Sequence, residues 1–83
     1  MDKNEVIEKL GKKICEDILR DAGRTLTPDE ALISSGLIDS FSLVDLALMA
    51  EQMFGVRIED YELNAETFDN LEQLAQIIME RKG

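Results

Sequence analysis

Apolar residues recur at helical spacing in three separate stretches of this chain, and 83 residues leave room for one core to collect them. In residues 3–22, Val6, Ile7, Leu10, Ile14 and Ile18 follow the helical period with charges opposite, and Gly23 is a natural stop. A second helix is expected from about Ser40 to Phe54, closed by Gly55, with Asp39 or Ser40 available to cap its start. Leu71, Leu74, Ala75 and Ile78 mark a last helix to about Arg81, preceded by Asp69-Asn70-Leu71-Glu72 at capping-box spacing, with Asp69 as the cap. The expected fold is all-α, a small bundle of three main helices plus one short helix, with residues 1–83 forming a single domain.

The connections carry their own anchors. Residues 24–39 form a long link for a compact domain, so it needs pinning, and Leu26, Leu32, Ile33, Leu37 and Ile38 are the apolar groups to do it. Pro28 followed by Asp29 and Glu30 suits one helical turn, and Gly36 suits a turn with positive φ. Residues 56–68 read as irregular with one short helix, held by Val56, Ile58, Leu63 and Phe68, and Asn64 can cap a turn over Ala65–Phe68.

Charge and absent residue types remove whole classes of function. The net charge of −9 opposes binding to nucleic acid or to an anionic membrane surface. The longest apolar run, Leu46 to Ala50, is far too short to span a bilayer, and the opening residues Met1-Asp2-Lys3-Asn4-Glu5 lack a signal-peptide stretch. One cysteine, Cys15, has no internal partner and reads as a packing residue, which fits a cytoplasmic protein. With no histidine, Ser-His and Cys-His nucleophile pairs and the usual zinc sets are missing, and the dispersed glycines form no phosphate loop. Neither catalytic residues nor a metal of its own are expected. Carboxylates are plentiful, but a catalytic pair needs a pocket, and so small a core leaves little room for one. The expected class is a monomer that binds other proteins, with a small carboxylate-pair enzyme as a lesser alternative.

The second helix shows where. On a wheel of residues 41–54, Leu43, Leu46, Ala47, Ala50, Met53 and Phe54 share one side and suffice to face the core. Phe41, Val44 and Leu48 form a second stripe opposite, with Asp45, Glu51 and Gln52 among them. So small a domain can seldom bury a helix on all sides, so this stripe is expected to be an exposed docking face rimmed by carboxylates. Residues 25–80 hold twelve acidic residues against one basic residue, Arg57, so the partner surface should be basic.

The segment Gly36-Leu37-Ile38-Asp39-Ser40-Phe41-Ser42-Leu43 resembles the phosphopantetheine attachment site of acyl carrier proteins, in which an Asp-Ser-Leu-type triplet opens the second helix. The resemblance extends over most of the chain, from the long first helix and its loop to the acidic second helix ending in Phe54-Gly55 and the closing helix. It implies that Ser40 carries 4'-phosphopantetheine in a phosphodiester bond, placed there from coenzyme A by a phosphopantetheinyl transferase. Acyl or aminoacyl groups would then ride on the arm between a loading ligase and downstream acyl-transferring enzymes, with Phe41, Val44, Asp45, Leu48 and Glu51 as the docking residues. A serine at a helix start suits this role, because the free N–H groups there favour an attached phosphate. Asp39 either positions the serine or helps bind the metal ion of the modifying enzyme. Ser34, Ser35 and Ser42 do not follow an aspartate.

Phe41 stands where carriers of central fatty-acid synthesis usually have Leu, and the wording is more like stand-alone carriers loaded by adenylate-forming ligases, D-alanyl carriers among them. Carriers of polyketide or other specialised pathways share the acidity, so it does not choose a pathway. The alternative from another class is an acidic helical adaptor without a prosthetic group, in which Ser40 is only a cap.

Overall fold

The computed structural model describes residues 2–21 and 23–82. Among them are three α-helices and no strand: α1 (Lys3–Lys13), α2 (Ser40–Phe54) and α3 (Leu71–Lys82). α1 and α3 pack most extensively on each other, and α2 lies against α3 and the continuation of α1. One core holds them together, with Val6, Leu10 and Ile14 from the first helix, Leu46 and Ala50 from α2, and Leu71, Leu74 and Ile78 from α3 fully buried. Leu32, Ile38 and Phe68 add the connecting segments to the same core. Met49 is also buried, a core residue outside the stripe expected for α2.

The first helix does not run to Gly23. Asp2 caps α1 by accepting the Glu5 N–H at 2.8 Å, and beyond Lys13 the helix widens into a π turn over Ile14–Ile18. The Leu19 N–H donates to the Ile14 carbonyl at 2.9 Å and the Asp21 N–H to the Cys15 carbonyl at 2.7 Å, while Arg20 takes a left-handed φ of 55°. That is the chain reversal a glycine usually supplies, performed three residues ahead of Gly23 by an arginine. The wider turn leaves Ile18 and Leu19 packed against the core. The expected final residue, Ala22, lies outside the described residues. Cys15 is buried, and burial pushes its thiol up, away from the reactive thiolate, as suits a packing residue.

The segment after α2 holds the expected short helix, a little earlier than the sequence places it. Gly55 ends α2 in the left-handed conformation at φ 69°. A 3-10 helix spans Asp60–Glu62, and Asn64 caps only a turn, accepting the Thr67 N–H at 2.9 Å. The start of α3 also differs from the expected cap. Asn70, not Asp69, accepts the Gln73 N–H at 2.8 Å, and Gln73 reaches back to the Asp69 N–H at 2.7 Å. The cap sits one residue later, with the return bond going to the residue before the cap, and this releases the Asp69 side chain for another task.

Glu62 is the one buried acidic residue among those described, 7 % exposed, and it pairs with Arg81 of α3. Its Oε1 accepts from Arg81 Nη1 at 2.8 Å and from the Glu59 N–H at 3.0 Å. The same guanidinium donates to the Arg57 carbonyl at 2.9 Å, and Lys82 Nζ donates to the Phe54 carbonyl at 3.0 Å, so the end of α3 closes off the end of α2. The Arg81 hydrogen bond first, then the Glu59 N–H, holds the Glu62 carboxyl below its ordinary range. A depressed folded-state pKa means that the pair's contribution is complete above about pH 5 and is lost as pH falls through the folded value. Glu62→Gln should therefore lower stability at neutral pH by about 1–2 kcal/mol, a figure kept modest because Arg81 is partly exposed. The deficit relative to the parent should shrink as the pH is lowered toward 3, which denaturant melts across that range would read.

Candidate functional site

Ser40 is the first residue of α2 and is exposed to solvent. The residue before it does the capping. Asp39, in an extended conformation, accepts the Ser42 N–H on Oδ1 at 2.8 Å, and its carbonyl accepts the Leu43 N–H at 3.1 Å. The Ser42 backbone N–H, helped by the Ser42 side chain and the Phe41 N–H, holds the Asp39 carboxyl below its ordinary range, so it is ionised at neutral pH. Capping by Asp39 leaves Ser40 with no such duty.

The four serines of the chain are thereby distinguished. The Ser34 hydroxyl donates to Asp69 Oδ2, the Ser35 hydroxyl donates to the Ala31 carbonyl at 2.6 Å, and Ser42 is half-buried in the first turn of α2 with its N–H given to Asp39. Among the described residues the Ser40 hydroxyl has no hydrogen-bond partner. It stands at the positive end of a 15-residue helix whose first turn holds no acidic side chain.

The loop that delivers Ser40 is folded onto the core. Leu32 and Ile38 are fully buried, Leu26, Ile33 and Leu37 pack partly beneath them, and Gly36 makes the expected turn at φ 80°. Pro28 lies in a single turn closed by the Glu30 N–H to the Thr27 carbonyl at 3.2 Å. Two points along the stretch are tied to the start of α3 and the residues just before it. The Glu72 N–H donates to the Pro28 carbonyl at 3.1 Å, and Asp69 takes the Leu32 N–H on its carbonyl at 2.7 Å. The Asp69 carboxylate accepts the Ile33 and Ser34 N–H groups at 2.8 and 2.9 Å. Sequence reasoning spent Asp69 on a helix cap; the signal that finds it is the equally good Asn70–Gln73 register beside it.

The second stripe of α2 is at the surface. Phe41 is 86 %, Val44 50 % and Leu48 51 % exposed, and Asp45 and Glu51 beside them are exposed as well. Neither carboxylate has an ion-pair partner among the described residues. Leu48 and Asp45 also border a shallow groove floored by Met49, Met53 and Ile18. Tyr61, 80 % exposed in the 3-10 helix, is a further surface aromatic that the sequence reading did not single out.

A sequence profile of the phosphopantetheine attachment site matches residues 12–78. The chain belongs to the phosphopantetheine-bearing carrier family. The acyl carrier protein of Petrotoga mobilis is 36 % identical over 81 residues, covering 98 % of this chain and 92 % of that protein. The acyl carrier protein of Coprothermobacter proteolyticus is 33 % identical over 63 residues, 76 % of each chain. The D-alanyl carrier protein of Bacillus pumilus is 25 % identical over 80 residues, 96 % of each. No solved structure matches the chain significantly. The cofactor of the carrier family is covalent 4'-phosphopantetheine, and the site here fits it: an exposed, unengaged hydroxyl at a helix start, where a phosphodiester is electrostatically welcome. None of the described helices is long and apolar enough to cross a membrane.

Opposite stripes of one helix should respond oppositely to truncation. Leu46→Ala should destabilise the fold by roughly 2–5 kcal/mol, because it opens a cavity in a fully buried position. Phe41→Ala and Leu48→Ala should each change stability by less than about 1 kcal/mol. Chemical denaturation of the three variants checks this, and equal losses in all three would show the outer stripe to be structural.

Proposed function

We propose that Ser40 carries the 4'-phosphopantetheine arm, and that the protein ferries acyl or aminoacyl groups between biosynthetic enzymes without catalysing a step itself. The observation that carries the reading is the exposed, free hydroxyl of Ser40 at the head of α2, while the Ser34 and Ser35 hydroxyls are hydrogen-bonded and Ser42 is half-buried inside the helix. The profile match across this segment supports it. When bound, the arm supplies a terminal thiol that holds cargo as a thioester. Asp39 keeps the first turn of α2 wound whether or not Ser40 is modified, so the attachment point is rigid beneath a flexible group. In this reading residues 1–83 act as one carrier domain, a monomer working in the cytoplasm, where a lone buried thiol stays reduced.

The partners follow from the α2 surface. A phosphopantetheinyl transferase, a loading ligase and downstream acyl-transferring enzymes must each reach Ser40, and all of them pass the ring of Phe41. The unpaired carboxylates Asp45 and Glu51 steer a basic partner face toward the apolar strip of Phe41, Val44 and Leu48. A shuttle needs fast association and fast release, and steering by exposed charge raises the on-rate without a tight complex.

Incubation with coenzyme A, Mg²⁺ and a broad-specificity phosphopantetheinyl transferase should add one phosphopantetheinyl group to the intact mass. Ser40→Ala should gain nothing while melting within about 0.5 kcal/mol of the parent, since Asp39 does the capping. Mass gain in that variant would remove Ser40 from the account, and no gain in the folded parent would favour the adaptor. Charge reversal gives a second check. Asp45→Lys or Glu51→Lys should slow loading severalfold, and added salt should slow the parent in the same direction. Rates indifferent to both would eliminate steering.

A further inference from the structure

Ser40 is delivered by a long connection, and the structure shows what fixes its place. Asp69 grips residues 32–34 three ways: its carbonyl takes the Leu32 N–H at 2.7 Å, and its Oδ1 takes the Ile33 and Ser34 N–H groups at 2.8 and 2.9 Å. The Ser34 hydroxyl adds a bond to Oδ2. From there the segment closes on itself, the Gly36 N–H donating to the Ile33 carbonyl at 3.0 Å and the Ile38 N–H to the Leu32 carbonyl at 2.9 Å. Ile38 is buried and is followed directly by the cap Asp39 and by Ser40. A short relay of hydrogen bonds and one buried side chain therefore links the start of α3 to the start of α2. No neighbouring cation is needed to keep the Asp69 carboxyl ionised, because the Ser34 hydroxyl and N–H, with Ile33 and Leu32, hold it below its ordinary range.

We propose that Asp69 is a positioning residue for phosphopantetheinyl transfer, clamping Leu32–Ser34 to α3 so that Ser40 presents its hydroxyl at a fixed place and angle. This rests on the reading of Ser40 as the attachment residue. In the transfer the Ser40 Oγ–phosphorus bond forms as the bond between the two phosphorus centres' bridging oxygen and the pantetheine phosphate of coenzyme A breaks. Adenosine 3',5'-bisphosphate leaves, and the serine proton passes to a base of the transferase. Asp69 touches none of these atoms. Its contribution is alignment, to which such displacements are sensitive, a shift of about 1 Å being able to slow them as much as 10²-fold. Docking by the outer face of α2 does not involve Asp69, so the effect should fall on kcat and leave KM within about twofold.

The test separates geometry from charge and from stability. Asp69→Asn keeps an acceptor oxygen in place for the Ile33 and Ser34 N–H groups and should load within about threefold of the parent. Asp69→Glu keeps the charge but displaces the acceptor by one methylene, and it should lower kcat about tenfold, as should Asp69→Ala. Asn70→Ala removes the α3 cap without touching the loop, so it controls for destabilisation of the same helix end and should load at the parental rate. All variants are assayed well below their melting temperatures with coenzyme A and one transferase, and Asp69→Glu serves if Asp69→Ala does not fold. Folded Asp69→Glu loading at the parental rate, or Asp69 variants slowed no more than Asn70→Ala, would overturn the proposal. Ser40→Ala run alongside keeps the two readings apart: mass gain there defeats the attachment site, whereas no gain there with a fast Asp69→Glu defeats only the positioning role.

Discussion

One carboxylate ties the connection that ends at Ser40 to the rest of the bundle. The link of residues 24–39 is too long to hold a shape by local turns alone. Its backbone donors between Leu32 and Ser34 would otherwise be left to water, and Asp69 takes all three. With those satisfied, Leu32 and Ile38 can enter the core, α2 starts at a set point, and Asp39 can cap it. The place of Ser40 at the head of α2 is downstream of that contact. At the far end of the bundle a second tie, from Glu62 to Arg81, fixes where α2 stops relative to α3.

Between the two ties lies a helix divided in its loyalties. The inner side of α2 buries Leu43, Leu46, Met49, Ala50 and Phe54, and this burial holds the helix in the fold. Its outer side leaves Phe41, Val44 and Leu48 in water, with nothing in the fold to gain from it. An exposed apolar strip beside unpaired carboxylates is a poor choice for solubility alone, and it becomes intelligible when the strip meets partners only briefly. In the proposed reading, the cap under Ser40 and the open surface beside it are two halves of one requirement: a movable arm on an unmoving base.

Local features were legible in the sequence because local physics decides them. The three helices follow from apolar periodicity, the turn at Gly36 and the stop at Gly55 from glycine's tolerance of positive φ, and the two faces of α2 from the helical wheel. The end of the first helix was not, because a π turn and a left-handed Arg20 replace the glycine signal at Gly23. The start of α3 offered two capping registers one residue apart, and only contact with a loop some 35 residues away chooses between them. No local pattern sets Glu62 apart from the other acids, since its partner Arg81 lies 19 residues on. For the proposed site, the motif around Ser40 was legible as a local pattern, but the bonds that occupy the Ser34 and Ser35 hydroxyls depend on chain folding that no local pattern shows.

The most direct measurement is the location of the added group in the modified protein. Tryptic cleavage after Arg24 and Arg57 yields one peptide containing all four serines, so fragmentation of that peptide distinguishes them in a single experiment. The account predicts the phosphopantetheinyl mass on Ser40 alone, with the fragments carrying Ser34, Ser35 and Ser42 unmodified. The group found on any of those three serines would contradict it.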